Sequence, residues 1–201
     1  MPHIIVFGAG GRAGRRIVAE ARRRRHAVTA VVRDPARHPD LDATAGDVTD
    51  PARVATLAKG HDAAVNAAAG FDAGFFPAAA HALIAADVPR LVAIGIGTTL
   101  EVAPGVPIHD TPDFPAEHRA FSLGHAAQID VLRGADLDWV LLVPPPTLLD
   151  DTTDGTGHYT TGATTVLPTR QTLFPYADLA RAVVDEIDHP RHHRAVVAVG
   201  P

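Results

Sequence analysis

The first fourteen residues constrain the chain most. A strand-like run, 3–7, passes directly into Gly8-Ala9-Gly10-Gly11-Arg12-Ala13-Gly14. A run without polar alternation suits a strand buried on both faces, as in a parallel sheet covered by helices. Glycines three residues apart, between such a strand and a helix, suit a turn that approaches a pyrophosphate. Gly8 would turn the chain out of the strand, Gly11 would bring bare backbone up to the phosphates, and Gly14 would let the helix lie close on the sheet. Amides at the helix N-terminus would add the positive end of the helix dipole. The motif therefore predicts a dinucleotide ligand. A ligand-free strand–helix turn is the alternative, and it requires fewer glycines.

The rest of the chain alternates in the same way. Strands are expected at 27–32, 42–45, 63–66, 90–94, 139–143 and 195–199, and helices at 11–24, 51–59, 74–86, 117–134 and 176–187. Repeated βαβ units predict an α/β fold of Rossmann type, a doubly wound parallel sheet with helices on both faces. A length of 201 residues fits one domain, and no repeat or linker divides it, so residues 1–201 read as a single NAD(P)-binding domain. Two stretches are irregular. The proline- and glycine-bearing segment 100–111 reads as a loop, and 147–174 as a Thr/Gly/Asp-rich stretch with short strands near 158–161 and 164–167. Trp139, on an expected buried strand, reads as core.

Composition excludes several classes of function. With no cysteine, disulfides, thiolate catalysis and cysteine-ligated metals are ruled out, in keeping with a reducing cytoplasm. A net charge of −5 argues against a nucleic-acid surface, which needs basic stripes. The run Arg22-Arg23-Arg24-Arg25 reads as the solvated end of a helix matched to its dipole. No apolar stretch is long enough to span a bilayer, and Met1-Pro2-His3 leads into a strand without a charged leader or cleavage site. His189, His192 and His193 lack metal-ligand spacing, so no metal is expected. The expected partner is a small-molecule substrate, with neither nucleic acid nor membrane, for a cytoplasmic monomer or homodimer.

The end of the second strand bears on which dinucleotide binds. An acidic residue there would hydrogen-bond a ribose 2′-hydroxyl, whereas an arginine accommodates a 2′-phosphate. Val32 is followed by Arg33 and then Asp34, and Arg12 lies inside the glycine loop. Guanidinium groups bind phosphate bidentately, which puts NADP(H) ahead of NAD(H).

The glycine loop, Arg33-Asp34 and Gly46-Asp47-Val48 together resemble the atypical short-chain dehydrogenase/reductase superfamily. More narrowly, the chain is similar to its NAD(P)H-binding branch, with the NmrA-like proteins and flavin/biliverdin reductase. The stretches 100–105, 110–115 and 176–180 look like bacterial members of that branch. The resemblance implies that Asp47 and Val48 flank the adenine and that Ala67, Ala68 and Ala69 run along the ribose. It also implies that 95–99 and 144–147, with Pro144, lie near the nicotinamide. Asp47 equally suits a turn aspartate, and the alanines plain strand-end packing.

Short-chain dehydrogenases usually supply a proton through a Tyr-x-x-x-Lys pair and a serine. Here the residues four positions beyond Tyr159 and Tyr176 are Ala163 and Ala180, and Lys59 is the only lysine, so the pair is absent. By resemblance the serine position holds Thr99, the tyrosine position falls near His118, and Ser122 stands where lysine would be. His118, His109 and Asp110 are candidate proton donors, and an imidazole titrates in a suitable range. Thr99 could hydrogen-bond a substrate oxygen. Surface histidines and a strand-end threonine are the plainer readings. The expected activity is that of an NADPH-dependent oxidoreductase acting on a small molecule. A dinucleotide-sensing NmrA-like protein without turnover, and an isomerase or cyclase reusing the fold, stay open.

Overall fold

The computed structural model describes residues 1–146, 148–169 and 173–201. The central sheet is built on β1 (His3–Phe7), β2 (Ala27–Val32), β3 (Ala43–Ala45), β4 (Ala63–Asn66) and β5 (Leu91–Ile94). A short hairpin of β6 (Glu101–Ala103) and β7 (Val106–Pro107) follows, then β8 (Trp139–Val143), β9 (Leu148–Asp150), β10 (Thr160–Gly162), β11 (Leu173–Pro175) and β12 (Ala195–Gly200). The helices are α1 (Arg12–Arg23), α2 (Pro51–Ala58), α3 (Phe75–Ala85), α4 (Ala116–Arg133) and α5 (Tyr176–Asp188).

Eight strands form the sheet in the order β10-β12-β8-β5-β4-β1-β2-β3, parallel except for β10. The chain winds outward from β1 to β3, then crosses back to β4 and winds the other way. The order reverses between β1 and β4, where open α/β sheets bind ligands at the carboxyl ends of their strands. Helices α1 and α5 cover one face, burying Ile17, Val18, Leu179 and Val183 against Ile4, Val6 and Val65. The other face packs α2, α3 and α4 on Ile5, Phe7, Trp139 and Leu141. The strands are apolar on both sides because both sides are covered. This is the Rossmann-type architecture that the alternating pattern predicts.

Local chemistry explains the element ends. Asp50 caps α2 by accepting from the Ala52 and Arg53 amides at 3.1 Å, with Pro51 as its first residue. Helix α1 ends with Arg25 at φ +70°, the Arg25 amide donating to Arg22 and the His26 amide to Ala21. This is a Schellman turn with arginine where glycine is usual. Arg22, Arg23 and Arg25 are exposed, as expected of a solvated helix end, and Arg24 is the exception. The Arg24 side chain is 16 % exposed and pairs with Glu20, Asp185 and Asp188.

The irregular stretches differ most from expectation. Residues 100–111 contain the hairpin, which Gly105 closes at φ +73°, and a 3-10 turn at Ile108–Asp110. The strand expected at 164–167 is a single bridge between Thr165 and Glu101, limited by the three-residue length of β6. Strands β9 and β11 pair with each other outside the main sheet, each too short for an alternating pattern to reveal.

Candidate functional site

A cavity of about 1050 Å³ opens at the switch point, lined by the segments that follow β1, β2, β4, β5 and β8. Glycines Gly8, Gly10 and Gly11 line it, together with Arg12, Ala13, Arg33, Asp47, Val48, Ala67, Ala68, Ala69 and Pro144. Of the residues expected to hold a dinucleotide, Gly14 alone is not part of the wall. Thr147, expected near the nicotinamide, lies outside the described residues.

The glycines answer to different constraints. Gly8 has φ +76°, and a Cβ on it would stand 2.5 Å from the Ala68 backbone. A Cβ on Gly14 would stand 2.1 Å from the Gly8 carbonyl oxygen, so this glycine serves helix packing. Gly11 is unlike both. Its φ is −74°, and the nearest protein atom to an added Cβ would be the Gly8 oxygen at 3.4 Å, an ordinary contact. Neither backbone conformation nor protein packing demands glycine there, yet the residue faces the cavity. No side chain caps α1, and its first turn has no acidic residue, which leaves amides and dipole for an anion. A cradle of this kind fits a pyrophosphate.

The strand ends around the loop are tied to it. The Ala9 amide donates to Val31, and Ala67 to Phe7. Arg15 donates from Nε to the Gly10 carbonyl at 3.2 Å, pairs with Asp40 and reaches His38 Nδ1 at 3.2 Å. These contacts seat the His38 ring against Gly10, where an added Cβ would stand 2.4 Å from Nε2.

One end of the cavity is rich in arginine. Arg33 and Arg37 line it, exposed, and neither side chain has an ion-pair or hydrogen-bond partner among the described residues. Arg12 lies over the Tyr176 ring at 5.7 Å. The competing acid, Asp34, accepts from the Ala36 amide at 3.0 Å and caps the 3-10 turn Pro35–Arg37. Asp47 lines the wall and also makes a turn, accepting from the Thr49 amide at 2.9 Å and its hydroxyl at 2.7 Å. Those hydrogen bonds, with a longer-range pull from Arg33, hold its carboxyl below the ordinary range. Val48 is buried at the same bend.

The opposite end is aromatic and nearly uncharged. Thr98, Phe75, Phe121 and His125 line it, and Gly97 lies so close to Pro145 and Pro146 that a Cβ would stand 2.4 Å from the Pro146 nitrogen. The Thr98 hydroxyl is 2.8 Å from that of Ser122. His125 is 6 % exposed, and burial pushes its imidazole down to about 4.

The three residues expected to act on substrate are not on this wall. His118 is exposed in the first turn of α4, two helical turns before His125 on the same stripe. Thr99 turns its hydroxyl to the Ile96 carbonyl at 2.8 Å, capping a 3-10 turn. His109 is buried, with Nδ1 2.8 Å from the Thr98 carbonyl oxygen. Asp110 is exposed, 3.8 Å from Arg119. Of the tyrosines, Tyr176 lines the cavity under Arg12, whereas Tyr159 lies elsewhere. The Tyr159 hydroxyl donates to Asp185 at 2.7 Å, and burial with this carboxylate pushes its pKa up.

Sequence reasoning missed Arg37, His38, Phe75, Phe121 and His125, and within 95–99 it singled out Thr99 where Thr98 lines the cavity. Asp34-Pro35 signals a turn that would bring 37 and 38 back to the loop. His125 carries a fainter signal, its seven-residue offset from His118. His192 and His193, by contrast, contact Glu186 and Asp138 at 2.7 and 2.9 Å. Among the described residues no group of three or more His, Asp or Glu side chains could hold a metal ion, and no helix is long and apolar enough to cross a membrane.

Comparison with known proteins agrees with this geometry. The model of the NAD(P)H-binding family matches residues 8–190. The uncharacterized protein YwnB of Bacillus subtilis is 32% identical over 198 residues, covering 93% of this chain and 92% of its own. A Burkholderia pseudomallei structure, provisionally named an exported protein, is 36% identical at a TM-score of 0.88 over 99% of both chains. A Streptococcus pneumoniae structure, provisionally named an NADH-flavin reductase, shares the fold at a TM-score of 0.85, with 24% identity over 99% of both chains. The chain belongs to the NAD(P)H-binding family.

Proposed function

We propose that the protein is an NADPH-dependent reductase that delivers a hydride to a small molecule bound at the aromatic end of the cavity. The observation that carries this reading is the cavity's polarity. It runs from unpartnered guanidinium groups, past a bare-backbone glycine loop, to a nearly uncharged wall of Thr98, Phe121 and His125. Arg33 and Arg37 would hold a 2′-phosphate, and Gly10, Gly11 and the first amides of α1 the pyrophosphate. Asp47 and Val48 would flank the adenine, Ala67–Ala69 the ribose and Pro144 the nicotinamide. Two guanidinium groups without ion pairs on this wall, Arg33 and Arg37, favour NADPH over NADH. A Veillonella parvula short-chain dehydrogenase/reductase of the same fold, at a TM-score of 0.75, was crystallised in complex with NADP.

When bound, the reduced nicotinamide supplies the hydride. The protein's part is to orient, to exclude water and to hydrogen-bond the acceptor. His125 would serve that last task, ahead of His118, His109 and Thr99. A small-molecule substrate, no nucleic acid or membrane partner, a monomer or homodimer and a cytoplasmic site complete the proposal. The test is NADPH oxidation against quinones, flavins, enones and ketones, with NADH in parallel. Turnover with NADPH supports the reductase. Tight NADPH binding without turnover on any acceptor would favour a dinucleotide sensor instead.

A further inference from the structure

Away from the cavity, the segment between β9 and β10 is pinned at two points. Arg16 of α1 donates to the Asp151 carbonyl at 2.6 Å. Asp178, 2 % exposed in the first turn of α5, accepts from the Thr156 amide and hydroxyl at 2.8 and 3.0 Å and from the Gly157 amide at 2.8 Å. Between these pins lies Asp154-Gly155, the only place in the sequence where glycine follows an aspartate. The fold demands this glycine. Gly155 has φ +81°, and a Cβ on it would stand 2.6 Å from Asp178 Oδ1. Asp154 is held far less. Its side chain is fully exposed at the mouth of a small cleft between α1 and α5, with the Arg16 guanidinium 3.7 Å away. Among the described residues the Gly155 amide has no hydrogen-bond acceptor.

We propose that Asp154-Gly155 is a site of spontaneous backbone modification, at which the aspartate isomerises to isoaspartate. The Gly155 nitrogen attacks Cγ of Asp154 and loses its proton, a C–N bond forms, and one carboxyl oxygen leaves as water. Water then opens the five-membered succinimide. Opening at the former main-chain carbonyl leaves the chain running through Cβ and Cγ, with the old α-carbonyl as a free carboxylate. One water leaves and one returns, so the mass is unchanged and no oxidant or reductant takes part.

Three features favour the step at this position. Glycine sets no side chain beside the attacking nitrogen, its amide is free, and the Arg16 guanidinium is placed to stabilise the negative charge of the tetrahedral adduct. Other exposed aspartates lack this combination. Asp34, Asp47, Asp50, Asp72 and Asp150 accept from the amide two residues on, which ties each carboxylate to a different nitrogen. Asp34 and Asp50 are also followed by proline, which has no N–H to lose. The product lengthens the main chain by one carbon between two fixed points, so the loop has to bulge or release Asp178.

The test is ageing of the folded protein at neutral pH. Isoaspartate is read by methyl transfer from S-adenosylmethionine with an isoaspartyl methyltransferase, and located by electron-transfer fragmentation. The native protein should accept methyl groups chiefly at position 154 and should melt lower as it ages. Asp154→Glu keeps the charge beside Arg16 but would have to close a slower six-membered ring, so both changes should be lost. Asp154→Asn should convert faster than the native protein and release ammonia, because an amide nitrogen leaves more readily than a carboxylate oxygen. Isoaspartate no more abundant at 154 than at the other aspartates, or equal methylation of the Asp154→Glu protein, would overturn the site. So would a native protein that forms none at 154 while the same chain unfolded in urea does, since the fold would then hold the two groups apart.

Discussion

The two ends of the sheet treat charge in opposite ways. At the amino end charges pair with one another. Arg90 joins Asp138 and Glu186, each at 2.8 Å, and donates to the His192 carbonyl at 2.9 Å. Nearby, Arg24 gathers Glu20, Asp185 and Asp188, and His26 lies 2.9 Å from Asp188. At the carboxyl end Arg33 and Arg37 are left without partners among the described residues, and His125 Nδ1 is buried unbonded. Arginines paired for stability at the amino end contrast with Arg33 and Arg37, whose side chains are left free on the cavity wall beside the paired Arg15 and Asp40. Substitutions should therefore separate. Changes at the amino end should cost stability without affecting dinucleotide affinity, and changes at the carboxyl end the reverse.

The largest effect should come from Arg90→Ala. Both Arg90 and Glu186 have side chains 7% exposed, so removing one strands a buried charge. Such a loss costs about 3–5 kcal/mol. Denaturant unfolding should show it, while NADPH affinity of the folded protein stays unchanged. A loss below about 1 kcal/mol would mean that solvent reaches the pair.

Acid should expose the contrast next. The folded pKa of His125, about 4, lies below the ordinary value of 6.5, so protonation favours the unfolded chain. Stability is then complete above pH 6.5 and falls as pH drops toward 4, by roughly 3 kcal/mol. Glu20, held at about 2 chiefly by Arg23 and also by Arg24, keeps its contribution until the pH is lower still. Loss between pH 6.5 and 4 should thus trace to His125 and in part to His61 at the amino end, whose pKa burial also lowers. His125→Phe should flatten the stability profile in that window, and an unchanged slope would acquit His125.

Arg33→Ala should weaken NADPH by about 1–3 kcal/mol and NADH hardly at all, the range for a charge-assisted hydrogen bond. Its melting temperature should match the native one, since Arg33 has no partner to lose. Equal losses for both dinucleotides, by calorimetry, would remove Arg33 from the 2′-phosphate. The smallest effect should be Arg25→Gly at the end of α1. The change relieves a left-handed arginine at φ +70° and should stabilise the fold by about 0.5–1 kcal/mol. Destabilisation in that variant would show that Arg25 makes up the strain through contacts of its side chain.

What the sequence revealed follows from how local each feature is. The buried strands and their helices were legible because burial on both faces writes itself as continuous apolar runs. The glycine loop was legible because strand, glycines and helix are contiguous. The hairpin closed by Gly105 was not, since three-residue strands carry no period. Nor was the acceptor end. Phe76 and His125 are 49 positions apart and meet only because α3 and α4 pack side by side. Resemblance pointed to Thr99, yet the 3-10 turn at Gly97–Thr99 presents Thr98 to the cavity and turns Thr99 back on Ile96. A shift of one residue in a turn is beyond what spacing alone can resolve.

The central claim is that the glycine loop binds a dinucleotide, and Gly11 tests it most directly. Gly8 and Gly14 are needed by the fold, so their replacement would confuse binding with stability. At Gly11 the protein leaves room for a Cβ, and a ligand on the loop would meet it. Calorimetric titration of Gly11→Val with NADPH, alongside thermal melting, should show binding abolished and a melting temperature within a few degrees of native. A folded Gly11→Val protein with native NADPH affinity would contradict the account.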